Sequence, residues 1–162
     1  MNKWSAMPGN TGGRAYVPRY AKAPAKFFPK KAVRSFRDLD VYRSMMECSV
    51  MVGTELLPAL TKQKFPLAEN MMNCALSIPL HIAEAHGMRF SNFEQAVATL
   101  ERAMLGCNKM IVYLEQAAGL CKKLNAALTE DISSRYMQTR GKILRLERSW
   151  QKFRGYNTSS PK

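Results

Sequence analysis

Beyond residue 34, apolar side chains return at helical spacing in four separate stretches. The first runs from about Asp38 to Ala59, with Leu39, Tyr42, Met45, Met46, Val52, Leu56 and Leu57 on its apolar side. Pro58 is expected to distort or end it, because proline lacks the N–H a helix interior needs. The second starts at Pro66, a favoured first-turn position. Its stripe is Met71, Ala75, Ile78, Ile82 and Ala85, and Gly87 is a natural stop. In the third, Ser91 and Glu94 make an S-x-x-E capping pattern. Phe93, Val97, Leu100, Met104, Cys107, Ile111, Leu114 and Ala118 then alternate in steps of four and three, and Gly119 marks the exit. The fourth begins near Thr129, with Glu130 and Asp131 complementing its positive end, and is expected to stop at Gly155. Ile132, Tyr136, Ile143, Leu146, Trp150 and Phe153 fall on one of its faces, and Lys142, Arg145, Arg148 and Lys152 on the opposite one.

Four such helices joined by short loops predict an all-α fold: an antiparallel up-down-up-down four-helix bundle. A second row on the third helix, Ala96, Ala103, Met110 and Ala117, widens its apolar face. Ala96, Ala103, Met104 and Met110 suit either a subunit interface or a broader core, with the balance toward an oligomer. Pro79 sits inside the second helical pattern and should bend that helix, unless Ser77 or a neighbour satisfies the carbonyl it frees.

The formal charge is +13, from 25 Lys and Arg against 12 Asp and Glu. The excess is unevenly spread. Residues 1–34 contain Lys3, Arg14, Arg19, Lys22, Lys26, Lys30, Lys31 and Arg34 and no acid. Four prolines and three glycines there oppose a regular helix or central strand, so this segment is expected to be a disordered basic N-terminal arm. Trp4, Tyr16, Tyr20, Phe27 and Phe28 are interleaved with the cations. Cations track phosphates and flat rings stack on unpaired bases, so nucleic acid is the leading partner for the arm. Docking on a protein and a merely solvated tail are the other readings. A transit peptide is disfavoured, because the Pro and Gly density works against its amphipathic helix. The domain layout is therefore an arm at 1–34, a bundle at 35–155 and a flexible tail at 156–162.

Catalytic signatures such as G-x-S-x-G, the P-loop and H-E-x-x-H are absent from the sequence. His81 and His86 complete no zinc spacing with Cys48, Cys74, Cys107 and Cys121, and no two cysteines make C-x-x-C. Buried reduced thiols are expected, which suits a cytosolic setting. Glu84, beside the histidines, and Glu101 are read as structural carboxylates. No enzyme activity, cofactor or metal is expected. No apolar run approaches the ~20 residues that span a bilayer, nor is a secretory signal visible, so the expected location is the cytoplasm with no membrane partner.

Ser77-Ile78-Pro79-x-x-Ile82-Ala83-Glu84 resembles the S-I-P-x-N-I-A-E-G signature of the bacterial four-helix bundle proteins encoded in ribosomal-RNA intervening sequences. Phe36-Arg37-Asp38-Leu39-Asp40-Val41-Tyr42 is similar to that family's opening, Phe65-Pro66 to its second-helix start, and Arg89-x-Ser91 to the turn before its third helix. Residues 36–153 share the likeness. His81 stands in place of the signature asparagine, Ala85 in place of its glycine, and the third helix shows no clear A-x-G-S. These departures lean toward a sister group, the accessory variability determinant proteins of diversity-generating retroelements. Leu128-Thr129 and Arg148-Ser149-Trp150-Gln151-Lys152 resemble the bounds of that group's fourth helix. The resemblance implies a homopentameric ring that binds RNA or DNA and a reverse transcriptase during mutagenic cDNA synthesis. It carries over no catalytic residue.

The candidate nucleic-acid-binding set is the eight arm cations together with Arg140, Lys142, Arg145, Arg148 and Lys152. No base-reading motif is visible, so phosphate-led binding is the expectation. A stand-alone RNA-binding bundle of the intervening-sequence type and a purely structural protein-docking module are the alternatives.

Overall fold

The computed structural model describes residues 33–158. Within them all regular structure is helical. A 3-10 turn, Phe36–Asp38, leads into α1, Asp40–Met51. A π turn, Val52–Leu56, joins α1 to α2, Leu57–Lys62. Then come α3, Ala68–Met88, α4, Phe93–Leu120, and α5, Ala126–Thr158. Because α1, the π turn and α2 are continuous, the chain forms four helical rods. The first packs on α3 and α5, and α4 packs on both of the same two.

The first rod outlasts its expected end at Pro58. Proline has no N–H to return to Thr54, and the chain accommodates this by widening beforehand. The Leu57 N–H reaches back five residues to the Val52 carbonyl, which puts Pro58 in the first turn of α2, where its missing donor is tolerated. The rod stops at a Schellman motif: the Phe65 N–H bonds the Leu60 carbonyl and the Lys64 N–H the Thr61 carbonyl, each at 3.0 Å. Lys64 takes the left-handed φ of 55° that glycine would usually supply. The Phe65 ring is buried behind it. Pro66 consequently lies in the turn, and α3 starts two residues later.

In α3 the expected stripe is fully buried from Met71 through Ala75, Ile78 and Ile82 to Ala85. The helix runs through Pro79, itself buried. Ser77 does not rescue the carbonyl that Pro79 frees, that of Ala75; its hydroxyl donates to the Cys74 carbonyl at 2.8 Å. Against this segment α4 comes unusually close. A Cβ at Gly106 would lie 2.7 Å from Ile78 Cγ1, well inside van der Waals contact. The Cys74 thiol donates to the Gly106 carbonyl at 3.5 Å across the same seam.

That close seam overturns one expectation about α4. Ala96, Ala103, Met110 and Ala117 are fully buried inside the chain, so the small-residue row serves the core and not a subunit interface. The helix is also capped differently. Asn92 is the N-cap, its side chain accepting from the Gln95 N–H at 3.2 Å, while Ser91 turns back toward the Met88 carbonyl. The S-x-x-E pattern at Ser91–Glu94 therefore does not form, and the capping box sits at Ser35–Asp38.

Helix α5 starts ahead of the expected Thr129. Asn125 Oδ1 accepts from the Leu128 N–H at 3.2 Å, so Asn125 is what opens the helix and Glu130 and Asp131 fall past its first turn. Gly155 does not end it, and helical backbone continues to Thr158. Ile132, Tyr136 and Ile143 are fully buried, and Leu146 and Trp150 are half-buried against the core. Phe153 was expected on the same face but is 68% exposed. It lies one turn beyond Trp150, where the packed layers end. Met46 of α1 likewise faces solvent.

Candidate nucleic-acid interface

Four segments meet at one end of the rods. The Asp38 charge acts on His86, and the turn Phe36–Asp38 packs on α3. The His86 ring lies 6.4 Å from the Trp150 ring of α5. The Arg154 guanidinium sits 4.6 Å from the centre of the Phe93 ring at the start of α4. The turn Phe36–Asp38, the end of α3, the start of α4 and the end of α5 are thereby gathered together. Far from this end, the Lys123 N–H donates to Gln63 Oε1 at 3.0 Å, tying the close of α2 to the turn between α4 and α5.

The cations of α5 divide by geometry. Arg145, Arg148 and Lys152 are exposed and spaced by three and four residues, so they form one stripe on the side away from the core. Arg140 is exposed too, and its charge acts on the Cys107 thiol of α4. Lys142 belongs elsewhere. Its ammonium donates to Asp40 Oδ2 at 2.6 Å, tying α5 to α1. That bond holds the Asp40 carboxyl below the usual carboxylate range. Part of the Lys142 charge is thus offset by an exposed ion pair with α1, a correction to its place in the outward cationic row. Arg34 is exposed, its backbone N–H donating to Asp38 Oδ2 at 3.0 Å. Lys3, Arg14, Arg19, Lys22, Lys26, Lys30 and Lys31, and the arm aromatics, lie outside the described residues.

Three further arginines join this end. Arg37 lies 5.2 Å from the Phe36 ring centre and Arg89 4.2 Å from that of Phe90; Arg154 on Phe93 is the third. Sequence reasoning passed over all three, although each arginine is adjacent in sequence to a phenylalanine. Arg89 is the most firmly held. Its guanidinium donates to the His86 carbonyl and approaches His86 Nδ1 at 3.1 Å. A donor at Nδ1 requires a neutral ring with its proton on Nε2. Burial and the charge of Arg89 favour that form, holding the His86 pKa below its ordinary value against the opposing pull of Asp38.

His81 lies inside α3, its Nδ1 3.8 Å from the exposed carboxylate of Glu84. Cys48 and Cys107 are buried free thiols, pushed up by burial to about 11 and about 12, so neither is a thiolate near neutral pH. Among the described residues no group of His, Cys, Asp and Glu could hold a metal ion, and no helix is long and apolar enough to cross a membrane. No family model, curated protein or solved structure matches this chain, so the reading of the interface stands on its own geometry.

Proposed function

We propose that this protein is a non-catalytic, basic nucleic-acid-binding accessory protein that assembles as a homopentamer in the cytoplasm and partners the reverse transcriptase of a diversity-generating retroelement. One observation carries the binding itself: the exposed stripe Arg145, Arg148 and Lys152 ends where Arg34, Arg37 and Arg89 gather. An up-down-up-down course of the four rods accounts for that convergence, since it returns the starts of α1 and α4 and the ends of α3 and α5 to one place. Residues 1–34 add eight further cations and no acid.

The polymerase partnership and the pentamer draw on the resemblance at Ser77–Glu84 and Leu128–Trp150. The residues that carry it are largely packing residues: Ile78, Pro79 and Ile82 are buried and Trp150 packs on the core. They speak for a shared scaffold more than for a shared surface. Exposed apolar side chains on α3 (Leu76, Leu80) and α4 (Leu105, Val112) supply surface for subunit contacts. These same side chains favour the second reading, a helical module that docks on protein.

Light scattering and salt-dependent RNA binding test the proposal. A pentamer is expected, with an affinity that falls linearly with salt on logarithmic axes. Reversing Arg145, Arg148 and Lys152 to Glu should reduce the salt slope by roughly 2 at about 0.7 per lost phosphate contact on a single strand. Helix content and mass should stay unchanged. A monomer would remove the pentamer, and salt-independent or absent binding would leave only the docking module. A reverse-transcriptase gene beside this one, with a nearby template repeat, would separate the leading reading from a stand-alone RNA-binding bundle.

A further inference from the structure

Phosphate binding alone does not choose between paired and unpaired strands, because both present the same backbone. The ring of Phe90 does. It is 87% exposed in the turn between α3 and α4, more than any other large apolar side chain among the described residues. Its support is built inward from there. The Arg89 guanidinium lies 4.2 Å from the ring centre. Arg89 is in turn fixed by the His86 carbonyl and His86 Nδ1. His86 is itself buried, at 6% exposure, within 6.4 Å of the Trp150 ring. A chain of contacts therefore runs from the core to a ring whose opposite face is open to solvent.

Such a face has a specific chemical partner. Bases inside a duplex are stacked on one another and offer a protein only their edges, whereas an unpaired base offers a flat π face. Single-strand binders combine a cationic track with aromatic platforms, and a guanidinium behind the ring adds attraction for the strand's charge. Phe153, 68% exposed between Lys152 and Arg154, places a second open ring on the same end, beside the stripe of α5. We infer that Phe90, backed by Arg89, is a stacking platform for an unpaired base of single-stranded RNA or DNA whose phosphates meet the cations of α5. This deepens the nucleic-acid reading above and rests on it.

The test uses the full chain and three labelled probes: a uridine oligonucleotide, its deoxythymidine counterpart, and a blunt RNA duplex of equal length. Phe90→Ala should weaken single-strand binding about 5- to 150-fold, the usual range for losing one stacked base. Phe90→Trp should restore it. Duplex affinity should stay as in the wild type, and so should the salt slope on every probe, since no phosphate contact is removed. Circular dichroism and mass confirm that the variants are folded. Equal losses on both single strands assign sugar-blind stacking, and a loss on uridine alone assigns RNA as the ligand. Unchanged single-strand binding in Phe90→Ala, or equal losses on single strand and duplex, overturns the platform while leaving the nucleic-acid reading intact. A wild type that binds none of the three probes overturns both.

Discussion

The two halves of α5 are one continuous helix put to opposite uses. From Ala126 to Thr139 it is anchored. Ile132, Tyr136 and Thr139 are almost wholly buried, the Thr139 hydroxyl meets that of Ser44 at 3.1 Å, and Arg135 is clasped by Asp131 and Glu47. Its charged residues there are two acids and one arginine. From Arg140 to Arg154 it carries six cations and the single acid Glu147. Burial fades along the same stretch, from Ile143 to half-buried Leu146 and Trp150 and then to exposed Phe153. The lesson is that stability and surface charge are separated along the helix axis as well as around it.

The largest effect should fall on the anchored half. Tyr136→Ala removes a fully buried ring and is expected to cost about 3–5 kcal/mol in urea unfolding. Phe153→Ala, in the basic half, should stay within about 0.5 kcal/mol of the wild type. Equal losses would abolish the distinction. A subtler change refines it. The Tyr136 hydroxyl is buried with no hydrogen-bond partner, and its phenol is held protonated by burial. Tyr136→Phe removes an unsatisfied polar group and should gain about 1 kcal/mol. A loss of stability would mean the hydroxyl has a partner after all.

A paired charge reversal exchanges the two readouts. Arg135→Glu breaks two exposed ion pairs and should cost up to about 1 kcal/mol, as such pairs usually do, while leaving oligonucleotide binding unaffected. Arg148→Glu should leave stability within about 0.5 kcal/mol and lower the salt slope of single-strand binding by roughly 0.7. Denaturation and a salt titration on both variants are sufficient. Binding that falls with Arg135 and not with Arg148 would move the interface to the anchored half.

Which parts of this were legible in the sequence follows from what periodicity can encode. Met71 through Ala85 repeats cleanly because α3 is buried on one side, so its stripe and its burial agree residue for residue. Periodicity on α4 was equally clear but its centre was misplaced. Thr99 and Gly106 are buried yet do not register as apolar, and leaving them out rotates the apparent face toward Met104 and Ile111. The π turn before Pro58 left no signal, since only the backbone records it. Likewise the stripe Arg145, Arg148, Lys152 was visible as a face, but the ion pair that draws Lys142 out of it spans 102 positions, to Asp40. The Arg–Phe pairs at the bundle end escaped because they become a cluster only when four distant segments meet.

Glu147, the one acid of the basic half, should give the smallest shift. It is only 7% exposed, Oε1 accepts from the Gln151 amide at 3.0 Å, and Oε2 is buried without a partner. Burial, then the charge of Glu101, raises its pKa above the ordinary value, with Arg148 and the Gln151 bond opposing. A carboxyl raised in the folded state binds its proton more tightly there than in the unfolded chain. Its contribution to stability is therefore full below the ordinary carboxylate range and is lost as pH rises through the folded pKa. At neutral pH the wild type bears that loss. Glu147→Gln keeps the shape, removes the charge, and should melt slightly above the wild type at pH 7, with the gap closing toward pH 4. It also deletes the one acid of the basic half, so single-strand affinity should rise and not fall. A variant that melts lower at pH 7 would show that the carboxylate is held there by a partner of its own, and the anchored region would then extend about two turns further into the cationic half.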